Sequence, residues 1–259
     1  MTLPGLLSRL KAAVKAIVPK PILRWRSRRL AAKFLAARQR ALDAEFAGMP
    51  ARAVFSTVYA SHAWGGGGSG DFYSGSGSHS PEIVHRYIEA VGCFLAAMPD
   101  KLDVVDLGCG DFHVGRQLRS QCARYVACDV VPELIKRNQD IFSGLGVEFV
   151  VLDMAEDPLP DGEVVFIRQV LQHLDNARIS RLVKKLPQYK LLVLTEHLPA
   201  TETFRPNVDK QVGAGTRLAL SSGVVLTAPP FNLQVKSQHV ICEVPEGPGV
   251  IRTIAMQLC

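Results

Sequence analysis

Three aspartates follow three short apolar runs of the sequence at nearly equal intervals. Asp106 lies at the end of the first run, Asp129 stands 23 residues further on, and Asp153 another 24. Because the carboxyl ends of parallel strands meet at one edge of a sheet, we expect the three carboxylates to lie together where open α/β folds bind ligands. A carboxylate at Asp129 can accept both hydroxyls of a ribose. Asp153 is then expected beside an adenine ring, whose amino group is a donor.

A glycine-rich turn, Asp106-Leu-Gly108-Cys-Gly110, follows the first run and leads into a predicted helix. Its glycines let the backbone approach a ligand closely, and the helix N-terminus directs N–H donors into the same crevice. A dinucleotide site needs a third glycine where His113 stands, and the next glycine, Gly115, comes two residues late. The Asp106 carboxylate would also repel a pyrophosphate, whereas it favours an ammonium group. The pattern therefore indicates a nucleoside that carries a zwitterionic amino acid.

The stretch Val105–Gly110 resembles the first motif of the class I S-adenosylmethionine-dependent methyltransferases. Asp129 resembles their ribose-binding acid, and Asp153 with Met154 their adenine-contacting turn. The resemblance covers about residues 81–258 and implies S-adenosylmethionine as the cofactor. The predicted cofactor-binding residues are Asp106, Gly108, Cys109, Gly110, Asp129, Val130, Asp153, Met154 and Arg168.

His113 departs from the pattern of that family, in which a third glycine can stand at this place. Phe112 lies beside it in the sequence. We expect the two side chains to narrow the pocket for the methionine part of the cofactor.

The fourth predicted strand runs into Arg168–Asp175, a turn that faces the methyl donor in similar methyltransferases and often carries a histidine. His173 is the first choice as general base, since an alcohol must lose its proton near transfer and histidine titrates in the right range. The alternative is that His173 only caps or packs, and that proximity alone drives methyl transfer. Glu196 and His197 end the fifth strand and are the other catalytic candidates, as ligands of acceptor hydroxyls or as the base.

Two irregular segments are expected to border the acceptor. Residues 198–230 form a polar insert with Asn207, Asp209, Lys210 and Arg217, which suits a hydroxyl-rich or anionic acceptor. Residues 64–80 hold so many glycines and serines that regular structure is not expected. Because aromatic residues interrupt this run, we interpret it as a lid in which Trp64 or Tyr73 stacks on a sugar ring; the alternative is a bare linker.

The predicted function is methyl transfer from S-adenosylmethionine to an oxygen of a polar small molecule, foremost a sugar or glycan. One alternative is an N-methyltransferase on a small amine or protein, although no NPPY-like run follows the fourth strand. The other is a non-catalytic scaffold that binds a nucleoside.

Apolar strands alternate with helical segments from residue 81 onward, which predicts a Rossmann-like α/β fold. Its doubly wound sheet is expected to hold seven strands, mostly parallel, with an antiparallel last strand. Strands are predicted at 103–107, 125–128, 147–152, 163–168, 190–195, 234–244 and 250–258, and helices at 81–98, 113–121, 132–143 and 176–186. We divide the chain into an arm at 1–50, a Gly/Ser-rich lid or linker at 51–80 and a methyltransferase domain at 81–259.

The charge of the chain is concentrated in the arm. The formal net charge is +6, but residues 1–50 carry +9 and residues 51–259 carry −3. Residues 1–47 form two predicted amphipathic helical stretches divided by Pro19 and Pro21, with bases on their polar faces. Such a helical arm is typical of segments at anionic membrane surfaces; packing on the body and a transit peptide are the alternatives. An acidic body argues against nucleic acid as a partner.

Composition limits the remaining possibilities. The sequence holds no run of 18 uncharged apolar residues, so no spanning helix is expected. No secretory signal pattern is present, and none of the six cysteines forms a CxxC pair. We therefore expect reduced thiols, no metal site, and a cytoplasmic protein with peripheral membrane contact through residues 1–47. The oligomeric state is left open.

Overall fold

A mixed sheet of seven strands forms the centre of the structure. The computed structural model describes residues 46–66, 72–201 and 203–259. The strands are β1 Val104–Leu107, β2 Tyr125–Asp129, β3 Glu148–Val151, β4 Val164–Arg168, β5 Leu191–Pro199, β6 Val235–Glu246 and β7 Gly249–Leu258. Their order is β3-β2-β1-β4-β5-β7-β6. β1 to β5 pair in parallel, and β7 is antiparallel to both β5 and β6. The predicted fold class is confirmed.

The central strands are short apolar runs because both of their faces are buried. Every residue of β1 and β2 is buried, as expected for parallel strands with both faces covered. β1 lies between β2 and β4, so connections leave it in opposite directions and a crevice opens at its carboxyl end. The chemistry-bearing residues of the sequence follow these strands.

Six α-helices connect or cover the strands in the described residues. They are α1 Ala51–Ala60, α2 Ser76–His79, α3 Pro81–Ala96, α4 Gly115–Leu118, α5 Pro132–Ile141 and α6 Asn176–Val183. Pro81 and Pro132 occupy first-turn positions, where their missing N–H has no intrahelical partner to lose. The Ser80 side chain, at the residue before Pro81, makes no capping bond. Asp175 caps α6 by accepting the backbone N–H of Arg178 at 2.7 Å.

Helix α1 was not foreseen, because the whole segment 51–80 was predicted as lid or linker. Ala51, Val54, Phe55, Val58 and Tyr59 form an apolar stripe at helical spacing and are buried in the main core cluster. Helix α2 likewise lies within the stretch 64–80 that was expected to lack regular structure. The glycines that follow residue 64 obscured a helix that ends before them.

Most of the predicted arm lies outside the described residues. The two helical stretches assigned to residues 1–47 fall almost wholly within residues 1–45, which the structure does not describe. Across the part that it does describe, helices are too short or too polar to cross a bilayer.

Candidate cofactor and acceptor site

A cavity of about 410 Å³ opens at the carboxyl ends of β1, β2 and β4. All nine predicted cofactor-binding residues line it, and so do His173 and His197. Glu196 does not reach it. Helix α1 and residues 74–78 complete the wall, which the sequence interpretation did not assign to the cofactor side.

The glycine-rich turn has no room for side chains at its two glycines. Gly108 and Gly110 adopt φ of +85° and +56°, which favours glycine. A Cβ on Gly108 would lie 2.4 Å from Cγ2 of Val170, and one on Gly110 would lie 2.4 Å from Oγ of Ser74. The turn therefore brings bare backbone against the cavity.

Asp129 is held by the turn that it faces. Its Oδ2 accepts the backbone N–H of Gly110 and its Oδ1 that of Val131, both at 3.1 Å. Burial raises the pKa of Asp129 to about 6, and these backbone bonds oppose the shift. The carboxylate is therefore ionised at neutral pH, and each oxygen keeps a lone pair for a ligand hydroxyl.

Asp106 and Arg168 bring opposite charges to one end of the cavity. Burial raises the pKa of Asp106 to about 7, although a bond from the Tyr125 hydroxyl at 3.0 Å and the charge of Arg168 favour ionisation. Arg168 donates to the carbonyl of Gly77 at 2.5 Å and to Oγ of Ser78 at 3.0 Å, and its Nε is buried without a partner. Buried polar atoms rarely lack partners. The Asp106 carboxylate and the Arg168 guanidinium line one cavity. They fit the ammonium group and the carboxylate of an amino acid, respectively.

Another part of the cavity, around Asp153, fits a flat ring. Asp153 uses Oδ1 to accept the backbone N–H of Ala155 at 2.9 Å. Its Oδ2 is left for a donor such as an exocyclic amine. Leu152, Met154 and Val130 supply apolar walls there. Asp153 follows β3 by two residues instead of ending the strand as predicted.

His113 and Phe112 do not narrow this cavity, so that prediction is wrong. Phe112 has φ of +60° and is fully buried, where its ring packs edge-on against Tyr125 and Phe149 at 5.5 and 5.0 Å. His113 stacks on His79 with ring centroids 4.6 Å apart. Neither residue lines the cavity. The left-handed backbone at Phe112 directs its side chain into the core.

Asp111 is a site residue that the sequence interpretation missed. Its Oδ2 lies 2.6 Å from Nε2 of His79 and accepts the backbone N–H of Ser74 at 3.2 Å. Its own backbone N–H donates to Oγ of Ser74 at 2.9 Å, and that hydroxyl also bonds the Tyr59 hydroxyl at 3.1 Å. Asp111 thus fixes residues 72–80 onto the glycine-rich turn. Its position directly after Gly110 was the only available signal.

Trp64, and not Tyr73, reaches the cavity. The Trp64 indole donates to the carbonyl of Ala214 at 2.9 Å, and its ring lies 5.0 Å from that of His173. Tyr73 stacks on His79 at 4.3 Å and is absent from the lining. Trp64 therefore joins the segment after α1 to the insert 198–230.

His173 is buried in a neutral state. Burial, reinforced by the charge of Lys210, lowers its pKa to about 3. Its Nε2 lies 3.3 Å from Nε2 of Gln172. A group with this pKa is a weak proton acceptor at neutral pH.

Glu196, which was predicted as a catalytic residue, lies behind the turn Leu171–His173. It is 2% exposed, and its Oε1 accepts the backbone N–H of Leu171 at 3.1 Å. Burial raises its pKa to about 8, and Arg217 opposes the shift. Glu196 supports the turn Leu171–His173 and does not touch the acceptor space, because strand alternation points its side chain away from the cavity.

His197 follows Glu196 on β5 and lines the cavity. Its Nε2 lies 3.0 Å from the carbonyl of Glu246, the last residue of β6 before the turn to β7. Burial lowers its pKa, whereas the bond to Glu246 raises it.

The polar residues of the insert hold the insert together. Arg217 is fully buried and donates to three carbonyls, those of Leu171, Leu174 and Val208. Asn207 bonds the backbone of Val225 through both of its side-chain polar atoms. Among the described residues of this insert, only Ala214 and Thr216 line the cavity. The predicted convergence of Asn207, Asp209, Lys210 and Arg217 on the acceptor is therefore wrong.

Comparisons with known proteins agree with this geometry. Residues 104–189 match a family model described as a methyltransferase domain. An uncharacterized methyltransferase of Schizosaccharomyces pombe is 36% identical over 103 residues, which is 38% of this chain and 37% of that protein's length.

Two solved structures are similar to this chain at low sequence identity. Magnesium protoporphyrin IX methyltransferase from Synechocystis, solved with bound S-adenosylmethionine, has a TM-score of 0.50 and 14% identity, covering 82% of this chain and 99% of that one. The N-methyltransferase NodS from Bradyrhizobium japonicum, in complex with S-adenosylhomocysteine, has a TM-score of 0.48 and 13% identity, covering 68% of this chain and 88% of that one.

Three observations point to the same kind of domain. They are the strand order, the glycine-rich turn with Asp106, Asp129 and Asp153 around the cavity, and the match to the methyltransferase model. Residues 104–189 therefore belong to a methyltransferase domain, and the cavity that they border fits S-adenosylmethionine as its cofactor.

Proposed function

We propose that this protein transfers a methyl group from S-adenosylmethionine to an oxygen of a polar small molecule, foremost a sugar or glycan. One observation carries the proposal: a single cavity combines opposite charges at Asp106 and Arg168 with a second region lined by Gln172, Thr216, His197 and the Trp64 indole.

The cofactor end of the cavity matches the parts of S-adenosylmethionine. Asp129 would accept the ribose hydroxyls and Asp153 the adenine amine, while Asp106 and Arg168 would hold the ammonium and carboxylate of the methionine. When bound, the cofactor supplies a methyl group whose bond to a sulfonium sulfur breaks as the acceptor forms its new bond to carbon.

The acceptor end favours hydroxyl groups. Gln169, Gln172, Thr216 and His197 line the cavity there and offer neutral donors and acceptors. Trp64 adds an aromatic face on which the apolar side of a sugar ring can pack. Glu246 also lines the cavity beside His197, and none of these residues carries a fixed positive charge, which favours a neutral polyol over an anion.

An acceptor panel tests the proposal. Purified protein and S-adenosylmethionine are combined with hexoses, deoxyhexoses and lipid-linked glycans, with small amines as a second class, and S-adenosylhomocysteine release is measured. Release with at least one hydroxyl acceptor is expected. Release with amines alone would establish the N-methyltransferase alternative. Cofactor binding without release from any acceptor would indicate a non-catalytic scaffold.

We also propose that the basic arm brings the protein to an anionic membrane on its cytoplasmic face. The +9 charge of residues 1–50 and the apolar spacing of residues 1–47 support this location. An acceptor attached to a lipid would then be concentrated near the site.

A further inference from the structure

We propose that His197 is the general base of the reaction, with Nδ1 as the atom that takes the acceptor proton. The inference rests on the proposed function and goes beyond it, because it names one residue and one ring nitrogen. Hydrogen bonding around two neighbouring histidines gives them opposite tautomers, and only His197 keeps a usable lone pair.

The tautomer of His197 follows from its partner. A carbonyl oxygen can only accept, so the contact of 3.0 Å between Nε2 and the carbonyl of Glu246 requires a proton on Nε2. Burial lowers the pKa of His197 below the ordinary histidine value, which keeps the ring neutral at pH 7. A neutral imidazole carries one proton. Nδ1 is therefore the nitrogen that bears the lone pair.

His173 has the reverse arrangement. Gln172 accepts the backbone N–H of His197 with Oε1 at 3.3 Å, and this fixes the orientation of its amide. Nε2 of Gln172 is then the donor to Nε2 of His173 at 3.3 Å. The proton of neutral His173 is consequently on Nδ1, and its only lone pair is already engaged. His173 borders the acceptor space as a fixed neutral ring beside Trp64.

The turn between β6 and β7 fixes the His197 ring. A Cβ on Gly249 would lie 2.8 Å from both Cδ2 and Nε2 of His197, so the glycine is what allows the turn to pack on the imidazole. Ser76 reaches the same turn through a bond of 3.4 Å to Oε1 of Glu246. A carbonyl that sets tautomer and orientation is the usual device for making a histidine a directed base.

The proposed step balances without any further reactant. Nδ1 of His197 takes the hydroxyl proton as the acceptor oxygen forms its bond to the methyl carbon. The electron pair of the broken carbon–sulfur bond stays on sulfur and leaves a neutral thioether. The resulting imidazolium then releases its proton to solvent. Nε2 stays protonated and bonded to Glu246 throughout, so the ring does not need to turn.

Nuclear magnetic resonance of the ring nitrogens tests the inference without turnover. Long-range ¹H–¹⁵N spectra of the full-length protein distinguish the two tautomers of each of the seven histidines. Loss of a signal in His197→Gln assigns His197, and loss in His173→Gln assigns His173. We expect the proton on Nε2 of His197 and on Nδ1 of His173. A proton on Nδ1 of His197 would overturn the inference.

Kinetics provide the second readout. Glutamine at residue 197 can still donate to the Glu246 carbonyl but cannot take a proton. His197→Gln should lower kcat with a hydroxyl acceptor by about 10²–10⁴-fold, while its Kd for S-adenosylmethionine stays within about threefold. His239→Gln, at an exposed residue of β6, is the matched control and should behave as wild type. Partial rescue of His197→Ala by added imidazole would confirm that the lost function is proton acceptance.

The outcomes separate the two proposals. If the wild type methylates a hydroxyl acceptor and His197→Gln retains its kcat, the inference is wrong and the proposed function stands. If the wild type binds the cofactor but methylates no hydroxyl, the proposed function fails, and the base assignment fails with it.

Discussion

Nε2 of His79 lies 2.6 Å from Oδ2 of Asp111, although 32 residues separate them in the sequence. The contact joins the end of α2 to the turn that carries Gly108 and Gly110. Together with the two bonds between Ser74 and Asp111, it holds residues 72–80 against the cofactor end of the cavity. Arg168 holds the same segment through Gly77 and Ser78. A segment fixed at two points of the cavity wall belongs to its binding surface.

The first prediction concerns the contacts that hold residues 72–80 against the cavity. Asp111→Asn keeps the shape of the side chain but removes the charge that binds His79. Because a hydrogen bond to a charged group contributes about 1.5–3 kcal/mol, we expect the Kd for S-adenosylmethionine to rise about 10–100-fold in calorimetry. The exposed Asp140→Asn on α5 is the control and should leave Kd unchanged. An unchanged Kd in Asp111→Asn would mean that residues 72–80 do not contribute to cofactor binding.

The second prediction concerns Asp129. Asp129→Ala removes the carboxylate that Gly110 and Val131 orient. It should abolish cofactor binding in calorimetry, since both ribose hydroxyls lose their acceptor and the turn loses its anchor. Circular dichroism before titration serves as the control for folding. A folded variant with wild-type affinity would refute the placement of the ribose.

The third prediction concerns stability against pH. Burial raises the pKa of Glu196 to about 8, that of Asp106 to about 7 and that of Asp129 to about 6. For an acid whose pKa is raised by folding, stability is fully present below the unfolded pKa and is lost as pH rises through the folded value. The cofactor-free protein should therefore lose stability between about pH 4 and pH 8.

Glu196→Gln isolates one part of this loss. Glutamine can still accept the backbone N–H of Leu171 but cannot ionise. The Tm of the variant should fall less than that of wild type between pH 6 and pH 8.5. A difference of several degrees is measurable by calorimetry, since about 1 kcal/mol moves Tm by about 2–4 °C at this size. If Tm fell equally in wild type and Glu196→Gln over this pH range, the raised pKa of Glu196 would be contradicted.

The cavity-lining residues around Asp106, Asp129 and Asp153 were predictable because the signals for them are local. Strand ends at Asp106, Asp129 and Asp153 can be located from short apolar runs, and parallel pairing then brings them together. The two glycines similarly depend on the backbone of a single turn. Consequently all nine predicted residues line the cavity.

The acceptor side was not predictable in the same way, because it depends on contacts between distant segments. The contact between Trp64 and Ala214 spans 150 residues, and no local pattern indicates it. Polarity alone also misled the interpretation: Arg217 and Asn207 are polar because they must satisfy buried carbonyls of an irregular insert. Strand alternation should have separated Glu196 from His197, since neighbouring residues of β5 point to opposite faces.

The fourth prediction concerns the arm. In co-sedimentation with liposomes that contain anionic lipid, the full chain should be found in the pellet. A variant lacking residues 1–47 should stay in the supernatant. Neutral liposomes are the control, and added salt should weaken binding because surface charges are screened. The variant should still bind S-adenosylmethionine, since the lining residues that the structure describes all follow residue 50. Membrane binding that does not change on truncation would leave packing on the body as the interpretation of the arm, and its +9 charge would then need another partner.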